Sequence, residues 1–180
     1  RYIEHLLRGE PVLREELHLP GDHRLVFEIH PRAFYQTNTL QAEVLYTLAL
    51  EAAGLLSQAD ERPATALDLY CGTGTLGLCM APYVERVAGI DINVEAVENA
   101  RKNAADNGIE HATFFAGDVG KVLATPAFRE VMGDEVELVI VDPPRAGLFP
   151  QAREQLGEIA APRLVYISCN PAALARDLAD

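Results

Sequence analysis

The chain has 180 residues, of which 49% are hydrophobic and 23% charged, and this is the composition of one folded globular domain with a substantial core. No apolar run is long enough to cross a bilayer. Three scattered cysteines and five dispersed histidines exclude a disulfide framework and predict no metal site, so we expect a reducing, cytoplasmic setting. The net charge of −12 argues against strong nucleic-acid binding by this chain alone, because phosphate contacts need Lys and Arg.

The two ends of the chain predict a piece of a longer protein, because it starts without a methionine and stops at Asp180 within a predicted helix. The sequence is mixed and polar up to residue 22, and the alternation of apolar and polar residues over 24–30 then predicts a strand. We therefore interpret residues 1–30 as an entry segment or the tail of a preceding domain, together with a first strand. Residues 31–180 are predicted to form one domain.

A helix is predicted to begin after Asn38, which has Gln41 at the spacing of a capping box, and to end at Gly54. Its apolar residues recur at helical spacing, so we expect them on one buried face. These residues are Leu40, Val44, Leu45, Leu48, Ala49 and Ala52. A polar loop is predicted over residues 57–63.

Beyond this loop, short apolar runs alternate with helical patterns. Five strands are predicted at residues 65–70, 87–90, 113–116, 136–141 and 164–168. Helices are predicted after Asn93 (apolar face Val94, Val97, Ala100 and Ala104), over 151–160 and from Pro171, and residues 119–132 are predicted to be helical or loop. Strands that are continuously apolar and alternate with helices predict a Rossmann-like α/β fold, with a parallel-dominated sheet covered by helices on both faces.

A glycine-rich turn follows the first of these five strands. It reads Asp68-Leu69-Tyr70-Cys71-Gly72-Thr73-Gly74 and continues to Gly77, so it contains the Gly-x-Gly-x-x-Gly pattern of dinucleotide-binding proteins. A dinucleotide would place its pyrophosphate at the N-terminus of the following helix. The acid Asp68 before the glycines instead favours a cationic sulfonium ligand with an amino group, which is the chemistry of a methyl donor. A tight turn without a ligand is the third alternative.

Two acids follow the next two strands. Asp91 comes at the end of the second strand, where its oxygens can accept hydrogen bonds from the ribose hydroxyls of either kind of cofactor. Asp118, after Gly117, follows the third strand and could reach an adenine amino group, although a surface turn is an alternative. Neither acid distinguishes a methyl donor from a dinucleotide.

The fourth strand is followed by Asp142-Pro143-Pro144-Arg145-Ala146-Gly147. This segment opens on the carboxyl edge of the sheet, where open α/β folds bind their ligands. The two prolines stiffen the loop and fix Asp142, so a functional role is favoured over a structural one.

Cys169 follows the fifth strand, within Tyr166-Ile167-Ser168-Cys169-Asn170-Pro171. Pro171 suits the first turn of a helix, whose dipole would favour a thiolate nearby. Such a cysteine is a candidate nucleophile. A lone cysteine is more often a small hydrophobic residue, and Cys71 and Cys79 are interpreted in that way.

Taken together, these segments resemble the RNA uracil-C5 methyltransferase family, which acts on tRNA and ribosomal RNA. The matching stretches, in the family's order and spacing, are Phe34-Tyr35-Gln36-Thr37-Asn38, residues 68–74, residues 142–147 and Ser168-Cys169-Asn170-Pro171. The resemblance covers roughly residues 24–180. Its last two stretches are the most specific, because simple amino-methylating enzymes have an aromatic residue where Arg145 stands.

The resemblance implies a class I methyltransferase fold that uses S-adenosylmethionine to methylate C5 of a uridine in 23S ribosomal RNA or tRNA. It implies that Cys169 is the nucleophile. The residues implied or proposed as cofactor-binding are Gln36, Tyr70, Gly72, Gly74, Asp91, Asp118 and Asp142. A nucleophile is required because uracil C5 is too weakly nucleophilic to attack a methyl sulfonium until a thiolate has added at C6. The target base must also leave its stack to reach the site.

The sequence departs from the family pattern in two respects. Family members carry a glutamate base beyond the segment that contains Cys169, and an N-terminal RNA-binding β-barrel, in some cases with an iron–sulfur cluster. Neither is present in this sequence. The resemblance therefore implies a sheet truncated before its last strands, RNA gripped mainly by other parts of the protein, and a fragment that binds cofactor but turns over poorly.

Three other functions remain open from the residues. One is an NAD(P)-dependent oxidoreductase, which the glycine pattern allows. Another is a methyltransferase-like module that holds cofactor without chemistry. The last is a methyltransferase for cytosine or for a substrate other than nucleic acid, which residues 142–147 and 168–171 disfavour.

Overall fold

A computed structural model describes residues 5, 7–57, 63–133 and 135–179 of the chain. The strands are β1 Leu13–Leu19, β2 His23–Ile29, β3 Thr65–Leu69, β4 Arg86–Asp91, β5 Ala112–Ala116, β6 Leu138–Val141 and β7 Arg163–Tyr166. The helices are α1 Thr39–Ala52, α2 Thr75–Met80, α3 Val94–Asp106, α4 Val119–Leu123, α5 Pro126–Met132, α6 Pro150–Ile159 and α7 Pro171–Asp177. A 3-10 turn, Ala81–Tyr83, follows α2.

Five of the strands form a parallel sheet in the order β5-β4-β3-β6-β7. In the middle of the sheet, Leu67 of β3 is in register with Ala88 of β4 and with Val139 of β6. The predicted parallel α/β sheet is therefore confirmed. All five of its strands were predicted, and the largest differences in their bounds are two residues, at the start of β6 and the end of β7.

Side chains alternate between the two faces of this sheet, and each face has its own apolar core. Ala66 faces the core beneath α1, α2, α3 and the β1–β2 hairpin, whereas Leu67 faces the core beneath α4, α5 and α6. Helices thus cover both faces, as predicted. The alternation also places Asp68 on the same face as Ala66, beneath α2. A carboxyl group is rarely buried in an apolar core, because its desolvation is costly unless it is paired.

The sequence analysis missed a strand. β1 lies within the first 22 residues, which the sequence analysis described as mixed and polar. It pairs antiparallel with β2, from Leu13 opposite Ile29 to Leu19 opposite His23. The error arose because β1 has the sequence LREELHL. Its residues 14–16 are all charged, so the alternation of apolar and polar residues that predicts a strand is absent there. Only Leu17 and Leu19 of this strand are buried, and they pack into the core on the α1 face.

The predicted buried face of α1 was wrong in part. Leu40, Val44 and Leu48 are exposed, at 73%, 52% and 55%, and Ala52 is exposed as well. The helix instead buries Ala42, Tyr46, Ala49 and Leu50. Both sets recur at helical spacing, so periodicity alone does not select between them, and the packing of β1 and the sheet decides which face is covered. Asn38 is the N-cap as predicted, and its side chain accepts a hydrogen bond from the backbone N–H of Gln41 at 3.3 Å.

Two other predictions need correction or lie outside the structure. Val94, predicted on the buried face of α3, is 56% exposed because it opens the helix, whereas Val97, Ala100 and Ala104 are buried. The predicted helix at the end of the chain closes at Asp177, and Asp180 lies outside the described residues, as does most of the polar loop at 57–63. Among the described residues no helix is long and apolar enough to span a membrane.

Candidate active site

The strand order reverses at β3, which has β4 on one side and β6 on the other. At such a switch point the loops after neighbouring strands diverge and leave a crevice at the carboxyl edge of the sheet. Here the loop after β3 carries the glycine turn and the loop after β6 begins with Asp142. The topology therefore brings together two segments that lie about seventy residues apart in the sequence.

A first cavity lies in this crevice. Its walls come from the segment before α1, from α1, from the glycine turn and from the loop after β6. The lining residues are Phe34, Tyr35, Gln36, Tyr46, Asp68, Tyr70, Cys71, Gly72, Thr73, Thr75, Leu76 and Asp142. Four predicted site residues, Gln36, Tyr70, Gly72 and Asp142, are thus brought together, and Gly74 lies beside them at the N-cap of α2.

The glycine turn depends on backbone conformations that side chains disfavour. Gly72 and Gly74 have φ of +52° and +79°, and Tyr70, which is not a glycine, has φ of +64°. A Cβ on Gly74 would also lie 2.9 Å from both the Cβ of Ala100 and the ring of Phe114. Gly74 is therefore required for two reasons, its backbone angle and the close approach of α3 and β5.

All three glycines of the pattern donate their backbone N–H groups within the protein. The N–H of Gly72 donates to Oδ2 of Asp91 at 2.9 Å, that of Gly74 to the carbonyl of Cys71 at 2.8 Å, and that of Gly77 to Oδ2 of Asp68 at 2.7 Å. A pyrophosphate would need such N–H groups as donors. Here two of the three donate to carboxylates, those of Asp91 and Asp68, and the third donates to a backbone carbonyl.

Asp68 is 1% exposed, and among the described residues its Oδ1 has no hydrogen-bond partner. Burial raises the pKa of its carboxyl to about 8, the nearby carboxylates of Asp142 and Asp91 add to the increase, and the Gly77 N–H opposes it. An unpartnered buried carboxyl oxygen in a cavity wall is costly. It indicates a ligand with hydrogen-bond donors or positive charge.

Asp142 is a second carboxyl group of the same cavity, and burial raises its pKa to about 6. Asp68 and Asp142 come from neighbouring strands, so together they give the cavity an acidic wall. When these carboxyl groups are ionised, the wall would hold a cation and repel an anion, and a bound cation in turn favours the ionised form.

A second cleft, of about 450 Å³, opens on the other side of Tyr70. It is lined by Tyr70, Ile90, Asp91, Ile92, Gly117, Asp118, Val119, Phe149, Pro150, Gln151, Ala152 and Gln155. Two large apolar side chains in its walls, Ile92 and Phe149, are 76% and 71% exposed. Exposed apolar groups in a cleft wall suit a flat aromatic ligand.

Asp91 and Asp118 hold defined positions in this second cleft. Oδ1 of Asp91 accepts from the N–H of Asn93 at 2.8 Å, so the carboxylate connects the turn after β4 with the glycine turn through its bond to Gly72. Asp118 is the N-cap of α4 and accepts from the N–H of Lys121 at 3.3 Å. Each therefore has a structural role as well as a place in the cleft.

Cys169 is exposed, whereas Cys71 and Cys79 are buried. Burial raises the pKa of both buried thiols well above the ordinary value, so neither has thiolate character at neutral pH. Cys169 lies between β7 and α7, directly before Asn170, the N-cap of that helix. Because it follows β7 of the parallel sheet, Cys169 lies at the same carboxyl edge of the sheet as Asp142.

The loop after β6 and the segment around Cys169 are tied together. Nδ2 of Asn170 donates to the carbonyl of Arg145 at 3.1 Å. Asp177, at the end of α7, accepts from the N–H of Leu148 at 2.7 Å and from the hydroxyl of Tyr166 at 2.6 Å. These bonds outweigh the burial of Asp177, whose pKa is lowered to about 2. The carboxylate therefore fixes the loop against the Cys169 segment throughout the neutral range.

Sequence reasoning did not single out Tyr46, Ile92 or Phe149, which line the two cavities. Tyr46 lies on α1, and nothing in a helical pattern distinguishes a cavity-lining tyrosine from a core one. Ile92, directly after Asp91, could have been found from its position at the end of a strand. Among the described residues no group of three or more His, Cys, Asp or Glu side chains could hold a metal ion.

Comparison with known proteins places this geometry in a family. The chain matches the tRNA (uracil-5-)-methyltransferase family over residues 5–180. An uncharacterized RNA methyltransferase from Protochlamydia amoebophila is 44% identical over 174 residues, which cover 94% of this chain and 38% of that protein. Another from Caldanaerobacter subterraneus is 43% identical over 173 residues, which cover 96% of this chain and 35% of that protein.

A solved structure has the same fold. The tRNA (uracil-54, C5)-methyltransferase of Pyrococcus abyssi, in complex with S-adenosyl-L-homocysteine, superposes with a TM-score of 0.71 at 35% identity. The match covers 96% of this chain and 38% of that one, so the chain spans little more than a third of the length of these relatives. The predicted class I methyltransferase fold is confirmed, and the chain belongs to the tRNA (uracil-5-)-methyltransferase family.

Proposed function

We propose that this chain binds S-adenosylmethionine in the two cavities that share Tyr70 and serves the transfer of its methyl group to C5 of a uridine in RNA, with Cys169 as nucleophile. The observation that carries the proposal is the acidic first cavity at the switch point of the sheet, which is lined by Asp68, with its buried and unpartnered Oδ1, and by the carboxyl group of Asp142. The family and the cofactor product bound by the Pyrococcus abyssi enzyme support the same assignment.

The cofactor has two unlike halves, and each cavity suits one of them. The amino acid half and the sulfonium are cationic at nitrogen and sulfur, and fit the cavity with Asp68 and Asp142, beside the amide of Gln36. The adenosine suits the second cleft, where Asp91 would accept hydrogen bonds from the ribose hydroxyls and the apolar side chains of Ile92 and Phe149 would contact the ring. Asp118 lies in the same cleft, in reach of the adenine edge. Tyr70 forms the wall that the two cavities share.

An NAD(P) cofactor is disfavoured by the same groups. Its pyrophosphate would meet the carboxyl groups of Asp68 and Asp142, and the N–H groups of Gly72 and Gly74 already donate to protein acceptors. Burying phosphate charge against carboxylates without compensating donors is strongly unfavourable. The Gly-x-Gly-x-x-Gly pattern here therefore serves a tight turn and close helix packing.

Cys169 supplies the covalent step. S-adenosylmethionine provides the electrophilic methyl group. The Cys169 thiolate adds to C6 of uracil and forms a C–S bond, and the electron pair of the C5–C6 double bond makes C5 nucleophilic. C5 would then take the methyl group as the methyl–sulfonium bond breaks, and the cofactor would leave as the neutral thioether. A base then removes the C5 proton, the C6–S bond breaks, and the double bond and the free thiolate are regenerated.

The charge of this chain is unfavourable for binding RNA. Its net charge is −12, so counterion release from phosphate contacts cannot supply much affinity. We propose that most of the RNA grip lies in parts of the full-length protein outside this chain. It follows that the 180-residue chain binds cofactor but turns over poorly or not at all.

Two measurements test the proposal. Calorimetric titration of the 180-residue chain with S-adenosylhomocysteine and with NADH is expected to show binding of the first and none of the second; the reverse result would support the oxidoreductase.

Mass spectrometry of cellular RNA, from cells with and without the full-length gene, is expected to show loss of 5-methyluridine at one site when the gene is absent. Loss of 5-methylcytidine or of a base N-methylation instead would overturn the uracil assignment.

The affinity for S-adenosylmethionine is expected to rise with pH, by about tenfold or more between pH 5.5 and pH 8. The pKa of Asp142 is about 6 and that of Asp68 about 8 in the chain without ligand, so both lose protons over this range. A cationic ligand binds the ionised carboxylates better and therefore lowers their pKa, so raising the pH favours binding. Titration calorimetry at several pH values measures the effect.

An Asp142→Asn variant is the control for this prediction, because it removes the group that titrates near pH 6 and should flatten the lower part of the profile. S-adenosylhomocysteine, which lacks the sulfonium charge, should show a weaker pH dependence than S-adenosylmethionine. An affinity that stays constant or falls between pH 5.5 and pH 8 would contradict the acidic-wall argument.

A further inference from the structure

Two asparagines of α3, Asn99 and Asn103, and its C-cap Asn107 face the outer edge of the β1–β2 hairpin. Asn99, Asn103 and Asn107 are spaced four residues apart, so they form a row along one side of the helix. Opposite them lie Val26, Glu28 and His30, which are spaced two residues apart along and just beyond β2. Four residues of helix rise about 6 Å and two residues of strand about 6.7 Å, so the two rows run nearly in register.

The side-chain amides of this row form hydrogen bonds with the backbone of β2, as a neighbouring strand would. Oδ1 of Asn107 accepts from the N–H of Val26 at 2.8 Å, and its Nδ2 donates to the carbonyl of Val26 at 2.7 Å. Asn103 makes the same pair of bonds with Glu28, at 2.8 and 3.1 Å. The edge of β2 that faces away from β1 is thereby paired, which fixes the hairpin on the domain.

The third asparagine reaches the residue that follows β2. Oδ1 of Asn99 accepts from the N–H of His30 at 3.1 Å. Only three residues separate His30 from Phe34, which begins the cavity-lining stretch that contains Gln36. The row on α3 therefore holds the strand that delivers Gln36 to the cofactor cavity.

Asn103 makes one bond that the other two do not. Its Nδ2 also donates to the carbonyl of Thr73, in the glycine turn, at 3.2 Å. The N–H at the other end of the same peptide, that of Gly74, donates to the carbonyl of Cys71 at 2.8 Å. The Thr73–Gly74 peptide is thus held at both ends. Asn103 is 0% exposed, so water does not compete for these bonds.

We propose that Asn103 is a positioning residue for the cofactor. Its one carboxamide joins the hairpin, which is followed by the segment with Gln36, to the glycine turn, so that two walls of the first cavity keep a fixed spacing. The inference rests on the cofactor placement proposed above and is independent of the chemistry assigned to Cys169.

A pair of matched variants tests this role. Asn103→Ala and Asn107→Ala each remove two bonds to the backbone of β2, but only the first also releases the Thr73 carbonyl. The dissociation constant for S-adenosylhomocysteine is measured by calorimetry on the 180-residue chain, at a temperature where circular dichroism shows each variant folded. We expect it to rise by about tenfold or more in Asn103→Ala and by less than about threefold in Asn107→Ala.

Equal changes in the two variants, or no change in Asn103→Ala, would overturn the positioning role, because a merely structural residue would lower thermal stability alone. If wild type fails to bind S-adenosylhomocysteine, the cofactor placement itself is wrong and this inference falls with it. If wild type binds and Asn103→Ala binds equally well, only the inference falls.

Hydrogen exchange of the wild-type chain gives the answer even if Asn103→Ala does not fold. Coupling between two sites is reciprocal, so a ligand on the glycine turn must stabilise the hairpin if Asn103 connects them. Saturating S-adenosylhomocysteine is expected to slow exchange of the Glu28 amide, which donates to Asn103, as well as that of the Gly74 amide. Slower exchange at Gly74 with no change at Glu28 would contradict the proposal.

Discussion

Replacing Cys169 by alanine in the full-length protein is expected to lower the rate of 5-methyluridine formation by at least about 10³-fold, because removing a covalent nucleophile takes away the step that activates C5. The affinity for S-adenosylhomocysteine should stay within about twofold of wild type, since Cys169 lines neither cofactor cavity. Single-turnover methylation of an RNA transcript, followed by mass spectrometry, measures the first quantity, and calorimetry the second.

A covalent trap gives the same prediction a second readout. RNA that contains 5-fluorouracil lacks the removable proton at C5, so the thiol cannot be eliminated after methylation and the protein stays attached to the RNA. Wild type should form a denaturant-stable complex in the presence of S-adenosylmethionine, and Cys169→Ala should form none.

Cys79→Ala is the matched control, because Cys79 is fully buried in the core. That variant should lose thermal stability but keep both turnover and the covalent complex. Turnover of Cys169→Ala within tenfold of wild type, or a covalent complex that survives its replacement, would refute the nucleophile assignment.

The sheet and its ligand edge could be predicted because their signals are local. Each strand from β3 to β7 is a short apolar run bounded by turn residues, and Asp91, Asp142 and Cys169 come directly after such runs. In a parallel sheet the ends of all these strands share one edge, so placing the residues there required only the strand predictions. The same argument explains why the loops after β3 and β6 were predicted as site segments.

The hairpin and the packing of α1 could not be predicted because they depend on tertiary contacts. β1 is stabilised by burying Leu17 and Leu19 and by polar contacts with α1, for example the N–H of His18 donating to Glu43 at 2.8 Å. Because the other residues of β1 are mostly charged, the pattern of hydrophobicity along the sequence does not reveal that these two leucines are buried. The row of asparagines could not be predicted either, because the asparagines form hydrogen bonds with a strand that lies more than seventy residues earlier in the sequence.

Gly74→Ala is expected to lower the free energy of unfolding by roughly 2–4 kcal/mol. About 1 kcal/mol or more comes from the left-handed backbone, where φ is +79°, and about 1–3 kcal/mol from overpacking against Ala100 and Phe114. For a domain of this size the melting temperature should fall by roughly 5–15 °C. Binding of S-adenosylhomocysteine should weaken by at least about thirtyfold, because the same turn forms the wall of the first cavity.

Gly108→Ala separates the two causes. Gly108 has φ of +67°, but nothing lies within 4 Å of a Cβ built on it, so alanine there carries the backbone strain alone. Its melting temperature should fall by roughly 2–4 °C, with cofactor affinity unchanged. Phe114 is 1% exposed and cannot move aside, so the difference between the two variants measures the contact with its ring and with Ala100. If Gly74→Ala melts no lower than Gly108→Ala and binds as wild type does, close packing of the turn is not what shapes the cofactor cavity.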